Sequence, residues 1–162
     1  MSKDTMNYVW RDYDPETMMD IENWLDESAV RSTGLEDGFC SFYEYWIKED
    51  GFCLGENFWC KVVYENGQPF AVIAFCRHED KINIMEVLID QKKRGRGKGS
   101  KLLKELLGSN MVTGFYIQKA EAVIYPDNIA SQKAFENAGF KCRRTHKDED
   151  GESMIYIFEN CP

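Results

Sequence analysis

The sequence is short of several things, and each shortage excludes something. Only four prolines and two histidines occur in 162 residues, so there is no proline-rich linker and little imidazole for ligating a metal. The six cysteines (Cys40, Cys53, Cys60, Cys76, Cys142, Cys161) are scattered without a C-x-x-C pair. That spacing argues against zinc and any other metal centre and favours reduced cytoplasmic thiols. Long apolar runs are missing as well. The stretch "AVIAFC" at 71–76 is far too short to span a bilayer, and the opening "MSKDTMNYVW" lacks the apolar segment of a signal peptide. The expectation is a soluble cytoplasmic protein with no membrane attachment. No repeat or low-complexity tract divides the chain, and 43% hydrophobic residues are enough to bury a core, so residues 1–162 read as a single domain.

Positive charge is scarce and unevenly spread. Seven of the 20 lysines and arginines fall at 92–104, in a segment without one acid, so the formal charge outside it is −15 against a net −8. A nucleic-acid-binding protein would be basic over a whole face; no nucleic acid partner is expected. A basic spot in an acidic field suits a small anion at that spot and cationic partners elsewhere.

The elements follow from periodicity and punctuation. "MNYVWRDY" alternates like a first strand, and "DPETMMDIENWLDES" carries an Asp-Pro start and places Met18, Ile21 and Leu25 at helical intervals. A loop over "STGLEDG" precedes a second helix in "FCSFYEYWIKED". Residues 58–90 read as three strands, the first two joined at "NG", a strong hairpin signal, and the next two across "HEDK". "SKLLKELLGSN" puts Leu102, Leu103, Leu106 and Leu107 on one stripe with lysines opposite. A strand in "KAEAVIY" leads to a helix over "PDNIASQKAFENAG", capped by Asp127 or Asn128 and ended by Gly139, with Ala130, Ala134 and Ala138 on one face. Two strands around "DEDG" close the chain. The order is β-α-α-β-β-β-α-β-α-β-β, an α/β fold with a mixed sheet.

Between the third hairpin strand and the leucine stripe lies "DQKKRGRGKGS". A strand ending at Ile89 or Asp90, a glycine-rich turn and a helix beginning near Gly97 gather backbone N–H groups and a helix dipole in one small space. Glycines at 95, 97 and 99 let a ligand approach the backbone, and Arg94, Arg96 and Lys98 add charge, which suits a pyrophosphate. The spacing does not fit the Walker pattern G-x-x-x-x-G-K-[ST], nor the G-x-G-x-x-G of a dinucleotide-binding unit.

What the stretch does resemble is the acyl-CoA signature [QR]-x-x-G-x-[GA] of the GCN5-related N-acetyltransferase (GNAT) superfamily, matched at Arg94, Gly97 and Gly99. The strand "INIMEVLID" before it and the later "N-x-x-S-x-x-x-F-x-x-x-GF" at 128–140 fall in that superfamily's order. The resemblance covers residues 58–147 well and the N-terminal helices more loosely. It implies acetyl-CoA as cosubstrate, with the diphosphate on residues 94–100, where Gly95, Gly97 and Gly99 permit close approach and Ser100 supplies a hydroxyl. It further implies pantetheine along Val87, Leu88 and Ile89, a parting of that strand from the one at 118–125, Asn128 reaching the arm, and the acetyl carbonyl at an N–H near Leu88 or Ile89.

Acetyl transfer to an amine needs a base, because an amine of pKa about 10 is protonated at neutral pH. Glu86 is the candidate, set among the apolar same-parity neighbours Ile82, Ile84 and Leu88, where desolvation would raise its pKa; Asp90 and a carboxylate from 36–50 are rivals. The leaving thiolate also needs a proton. Where many GNAT members place a tyrosine, seven residues after the motif asparagine, this chain has Phe135, which leaves Tyr125 and Tyr156 as substitutes. Phenylalanine donates no proton, and a thiol pKa near about 8.5 lets the thiolate leave unaided.

By the resemblance, the acceptor wall comes from the first two helices and their loop. That region holds Glu36, Asp37, Glu44, Glu49 and Asp50 with Tyr43, Tyr45 and Trp46, a combination suited to a cationic amine. "Y-P-D-N" adds a weaker likeness to aminoglycoside 6'-type members. A small-molecule amine acceptor is thus expected; a silent acyl-CoA-binding domain and a protein or peptide N-acetyltransferase are the alternatives, and a homodimer is left open.

Overall fold

The computed structural model describes residues 6–46 and 57–160. Seven strands form one sheet: β1 Val9–Asp12, β2 Phe58–Glu65, β3 Gln68–His78, β4 Lys81–Ile89, β5 Lys119–Ile124, β6 Lys141–Asp148 and β7 Gly151–Glu159, in the spatial order β1-β2-β3-β4-β5-β7-β6. Every neighbouring pair is antiparallel except β4 with β5. The α-helices are α1 Glu27–Thr33, α2 Phe39–Glu44, α3 Lys98–Gly108 and α4 Ile129–Asn137.

The sheet is covered on both faces. On one, Leu102, Leu103, Leu106 and Leu107 of α3 are buried against Ile73, Phe75, Ala120, Ala122 and Phe140. On the other, Ile21, Trp24, Leu35 and Phe39 from the N-terminal segment meet Val62, Val72, Ala74 and Leu88. β3 lies between the two cores. Its residues 70–76 are all buried; from 71 to 76 odd positions face α3 and even positions the N-terminal layer, and Phe70 also joins the α3 core. An unbroken apolar run is what a strand buried on both faces requires. Each α3 leucine contributes about 2 kcal/mol by burial.

Turn chemistry matches the sequence reading in the β2–β3 hairpin, where Asn66 and Gly67 both take positive φ (52° and 78°), as a type I′ turn demands. The N-terminal helices differ from the expected ones. Asp14-Pro15 opens only a turn, with Met18 N–H donating to the Asp14 carbonyl at 2.9 Å, followed by a 3-10 segment Met19–Trp24 that buries Ile21 and Trp24. The α-helix starts later, because Asp26 caps it by accepting from Ala29 N–H at 2.8 Å, and ends at Gly34 in the left-handed region (φ 74°). The segment read as a loop thus supplies the end of α1. α2 is short, and its first N–H groups are held by Glu22, whose carboxylate accepts from Phe39 and Cys40 at 3.0 and 2.7 Å. The part of the expected second helix from 47 to 50 lies outside the described residues. In α4, Asn128 is the cap, accepting from Ser131 N–H at 3.2 Å. The expected alanine face is only partly the packed one: Ala138 and Phe135 are buried whereas Ala130 is exposed.

No described helix is long and apolar enough to cross a membrane. Among the described residues no group of three or more His, Cys, Asp or Glu is placed to hold a metal.

Candidate active site

The site begins with an irregularity in β4. Ala74 pairs with Glu86 but Phe75 pairs with Ile84, so Met85 is an extra residue, a β-bulge. Because side chains alternate along a strand, one extra residue exchanges the faces beyond it. Ile82 and Ile84 point to the α3 core, whereas Leu88 points to the N-terminal core and Met85 packs against it. Glu86 follows Leu88 and not Ile82 and Ile84. This corrects the parity argument made from sequence, which set Glu86 on one face with all three.

The bulge is also where the sheet opens. β4 and β5 pair at Ile82–Ala120, Asn83–Glu121 and Ile84–Ala122, and no pairing follows, although β4 continues to Ile89 and β5 to Ile124. A cavity of about 200 Å³ occupies this divergence, lined by residues that include Glu86, Val87, Tyr125, Asn128 and Phe135. Five residues singled out in three separate parts of the sequence thus share one wall. Sequence reasoning missed Ser32 and Thr33, which reach the same cavity from the end of α1; Asp26 as a helix cap and Gly34 as its stop were the available signals.

Backbone polarity along the open edge follows from one bond. Asp90 N–H donates to the Phe70 carbonyl at 2.8 Å, and hydrogen-bonded pairs alternate in an antiparallel ladder. Val72–Leu88 and Ala74–Glu86 are therefore the pairs bonded toward β3, while Val87 and Ile89 turn their N–H groups toward the opening. Leu88, expected to offer its N–H there, is turned away; Val87 and Ile89 hold the donors.

Glu86 makes no hydrogen bond or ion pair among the described residues, and desolvation by its apolar surroundings pushes its pKa up to about 8. The rivals are placed differently. The Asp90 carboxylate accepts from Lys92 N–H at 3.1 Å and caps the 3-10 turn Gln91–Lys93. Glu36, Asp37 and Glu44 line a separate cavity of about 440 Å³ with Phe42, Tyr45 and Trp46; Glu49 and Asp50 lie outside the described residues. Tyr125 is half exposed at the β4–β5 cavity. Tyr156 is buried, donates to Glu136 at 3.0 Å and has its pKa raised to about 12 by burial and by that carboxylate. It does not line the cavity, which removes it as a proton donor there. Phe135 packs edge-on against Phe140 at 4.9 Å.

Beyond β4 the chain turns into α3. Gly95 and Gly97 have φ of 75° and 73°, a region costly for residues with a Cβ. Gly97 is the N-cap of α3 with no side chain capping the helix, so the first N–H groups stay available to an anion. Gly99 serves packing: a Cβ there would lie 3.3 Å from Ile89 Cδ1 and 3.5 Å from Ala134 Cβ. Ser100 is buried and its hydroxyl makes no hydrogen bond among the described residues. Two of the three expected cations are committed elsewhere. Lys98 pairs with Glu65 at 2.6 Å, over the Phe70 ring at 5.2 Å. The Arg94 guanidinium donates to the Ile89 and Trp24 carbonyls and to Asp26. Arg96 remains exposed, without an ion pair among the described residues.

A mixed sheet that parts between its two parallel strands, beside an uncapped glycine-rich helix N-terminus, defines the architecture of an acyl-CoA-dependent N-acyltransferase. The chain belongs to the acetyltransferase (GNAT) family, whose model matches residues 8–140. It is 35% identical over 80 residues to the L-2,4-diaminobutyric acid acetyltransferase of Halalkalibacterium halodurans, covering 48% of this chain and 41% of that protein; the match spans less than half the length of that relative. Its fold is similar to that of AAC(6')-Ib in complex with paromomycin and acetyl-CoA (TM-score 0.74, 17% identity, 95% of this chain and 94% of the other). It is likewise similar to the GNAT domain of S. lividans PAT (0.70, 17% identity, 94% and 89%) and to a chimeric spermidine N-acetyltransferase from Vibrio cholerae (0.67, 12% identity, 95% and 96%).

Proposed function

We propose that this chain transfers the acetyl group of acetyl-CoA to the primary amine of a small cationic acceptor by direct attack in a ternary complex. The observation that carries the reading is Glu86, an unpaired carboxylate with a pKa of about 8, in the cavity where β4 and β5 part. The diphosphate is assigned to the N–H groups at 95–100, with Arg96 and the Ser100 hydroxyl beside them, and pantetheine to the open edge at 87–89. Asn128 uses Oδ1 as a cap, which leaves its amide nitrogen for the pantetheine arm.

In the reaction Glu86 takes a proton from the acceptor ammonium, and the amine attacks the thioester carbonyl. The developing oxyanion meets the N–H of Val87 or Ile89, the nitrogen releases its second proton to solvent, the C–S bond breaks, and the thiolate takes a proton from Tyr125 or solvent, giving the acetylated amine and CoA. Phe135 cannot supply that proton, but the low basicity of a thiolate makes the step undemanding.

Support for a cationic acceptor comes from Glu36, Asp37, Glu44, Tyr45 and Trp46 around the second cavity, which starts at Gly34, directly after the α1 residues of the first. The similarity to a diaminobutyric acid acetyltransferase adds short diamino acids to polyamines and aminosugars as candidates. Acetyl-CoA with a panel of these amines and of peptide N-termini, followed by free CoA release, tests the reading. CoA binding without release on any amine would favour an acyl-CoA-binding domain, which Phe135 makes the second reading. A peptide as best acceptor would favour a protein-acetylating enzyme.

A further inference from the structure

Arg94 is the first residue of the glycine-rich signature, yet its charge is spent within the protein. Its Nε donates to the Ile89 carbonyl at 2.8 Å, at the end of β4. One terminal nitrogen donates to the Trp24 carbonyl at 2.7 Å, and the other to both Asp26 oxygens at 3.1 and 3.0 Å. A planar guanidinium can satisfy three such acceptors at once; an ammonium on a flexible stem cannot. Asp26 is in turn the N-cap of α1, and the Ala29 N–H it accepts from, together with Arg94, holds its carboxyl below the ordinary carboxylate range. At its other end α1 contributes Ser32 and Thr33 to the cavity that holds Glu86.

We infer that Arg94 is a positioning residue that ties the cofactor loop to the acceptor-side wall, setting α1 across the cleft through Asp26, and that it is no ligand of the diphosphate. The chain of contacts is short and continuous: loop, guanidinium, helix cap, helix, cavity wall. At a site assembled from two layers of the protein, displacing one wall by a fraction of its length affects the substrate that this wall orients. The substrate bound on the loop itself is spared. The remaining cations of the loop, Arg96 foremost, are then the ones that neutralise phosphate.

The kinetic part of this inference rests on the proposed acetyl transfer; the structural part does not. The test uses the full chain with Arg94→Gln, Arg94→Lys and Asp26→Asn, the last keeping a capping oxygen while removing the charge. CoA affinity is measured by calorimetry, acceptor KM and kcat at saturating acetyl-CoA, and hydrogen exchange over 27–33. Arg94→Gln and Asp26→Asn are each expected to raise acceptor KM by about tenfold or more, to speed exchange in α1, and to change CoA affinity by less than about threefold. Arg94→Lys should fail to restore the wild-type KM, and the double variant should be no worse than the worse single one, because both break the same link. A loss of CoA affinity of about tenfold or more in Arg94→Gln, with acceptor KM and α1 exchange unchanged, would overturn the inference and return the guanidinium to the phosphate. Should Arg94→Gln not fold, Asp26→Asn alone decides by the same readouts. Should the wild type acetylate no amine, the transfer reading fails by itself, and calorimetry with exchange still decides the clamp.

Discussion

The two halves of β4 obey different rules. From Ile82 to Ile84 the strand is paired on both sides and its side chains alternate regularly. From Glu86 to Ile89 it keeps only β3, its faces are exchanged, and its free edge borders a cavity. One inserted residue, Met85, separates a stretch that exists for stability from one available for chemistry. The difference shows how a sheet can hold a carboxylate in apolar surroundings without burying it in a core: the strand continues, the partner leaves, and the register slips by one.

The most drastic way to break this comparison is to delete Met85. Regular alternation would then run from Ile82 to Ile89 with Glu86 still opposite Ala74, but without the bulge the strand would straighten, keep β5 paired past Ile84 and close the cavity, so acetyl transfer should fall below detection while far-ultraviolet circular dichroism still reports a folded sheet. Retained activity would show that the bulge is incidental.

Glu86→Gln leaves the shape and removes the proposed base. The rate should drop by about 10²-fold or more, and the wild-type pH–rate profile, rising through pH about 8, should flatten. Stability should move the other way. With the folded pKa raised from 4.5 to about 8, the unfolded chain loses its proton first, so the wild type loses stability as pH climbs through that window. The glutamine variant escapes the loss and should melt about 4 °C or more higher at pH 8. An unchanged profile together with an unchanged melting temperature would clear Glu86 of both effects.

Much of this arrangement was legible in the chain. The Asn-Gly turn, the leucine stripe of α3, the doubly buried run of β3 and the glycine loop are local signals, each complete within about a dozen residues. The bulge is not local: whether residue 85 is extra depends on β3 residues that pair with β4, and alternation read along one strand cannot reveal it. The same limit hid the partners of Arg94, which lie 68 and 70 positions away. Charge in a signature says that cations are near, not which of them are already engaged. The N-terminal helix was misplaced because Asp14-Pro15 carries a start signal as plain as that of Asp26, and the burial of Ile21 and Trp24 in a 3-10 segment favoured the later start.

A milder probe concerns the loop beyond the open half. Gly97→Val adds a Cβ that meets nothing within 4 Å, so its cost lies in the positive φ and in crowding the N-cap position. CoA affinity should fall by about tenfold or more in a folded variant. Unchanged calorimetric affinity would place the diphosphate elsewhere. The smallest effect is expected from salt. If Glu36, Asp37 and Glu44 attract the acceptor, its KM should rise severalfold between low and physiological ionic strength, where the Debye length shrinks to about 8 Å. A flat KM with acetyl-CoA saturating would leave the acidic cavity without that role.

The outer edge of the sheet bears on how the molecule behaves in a crowd. All eight residues of β6 are exposed, among them Lys141, Arg143, Arg144 and Lys147. An open strand edge is an invitation to polymerise, and like charges set opposite one another withdraw it. Two copies meeting antiparallel along β6 would bring arginine and lysine rows face to face, so concentrated solutions should stay dispersed at low ionic strength. Added salt weakens that guard first. Storage buffer is therefore a structural variable for this protein, and the edge most open to neighbours is also the one that repels its own kind.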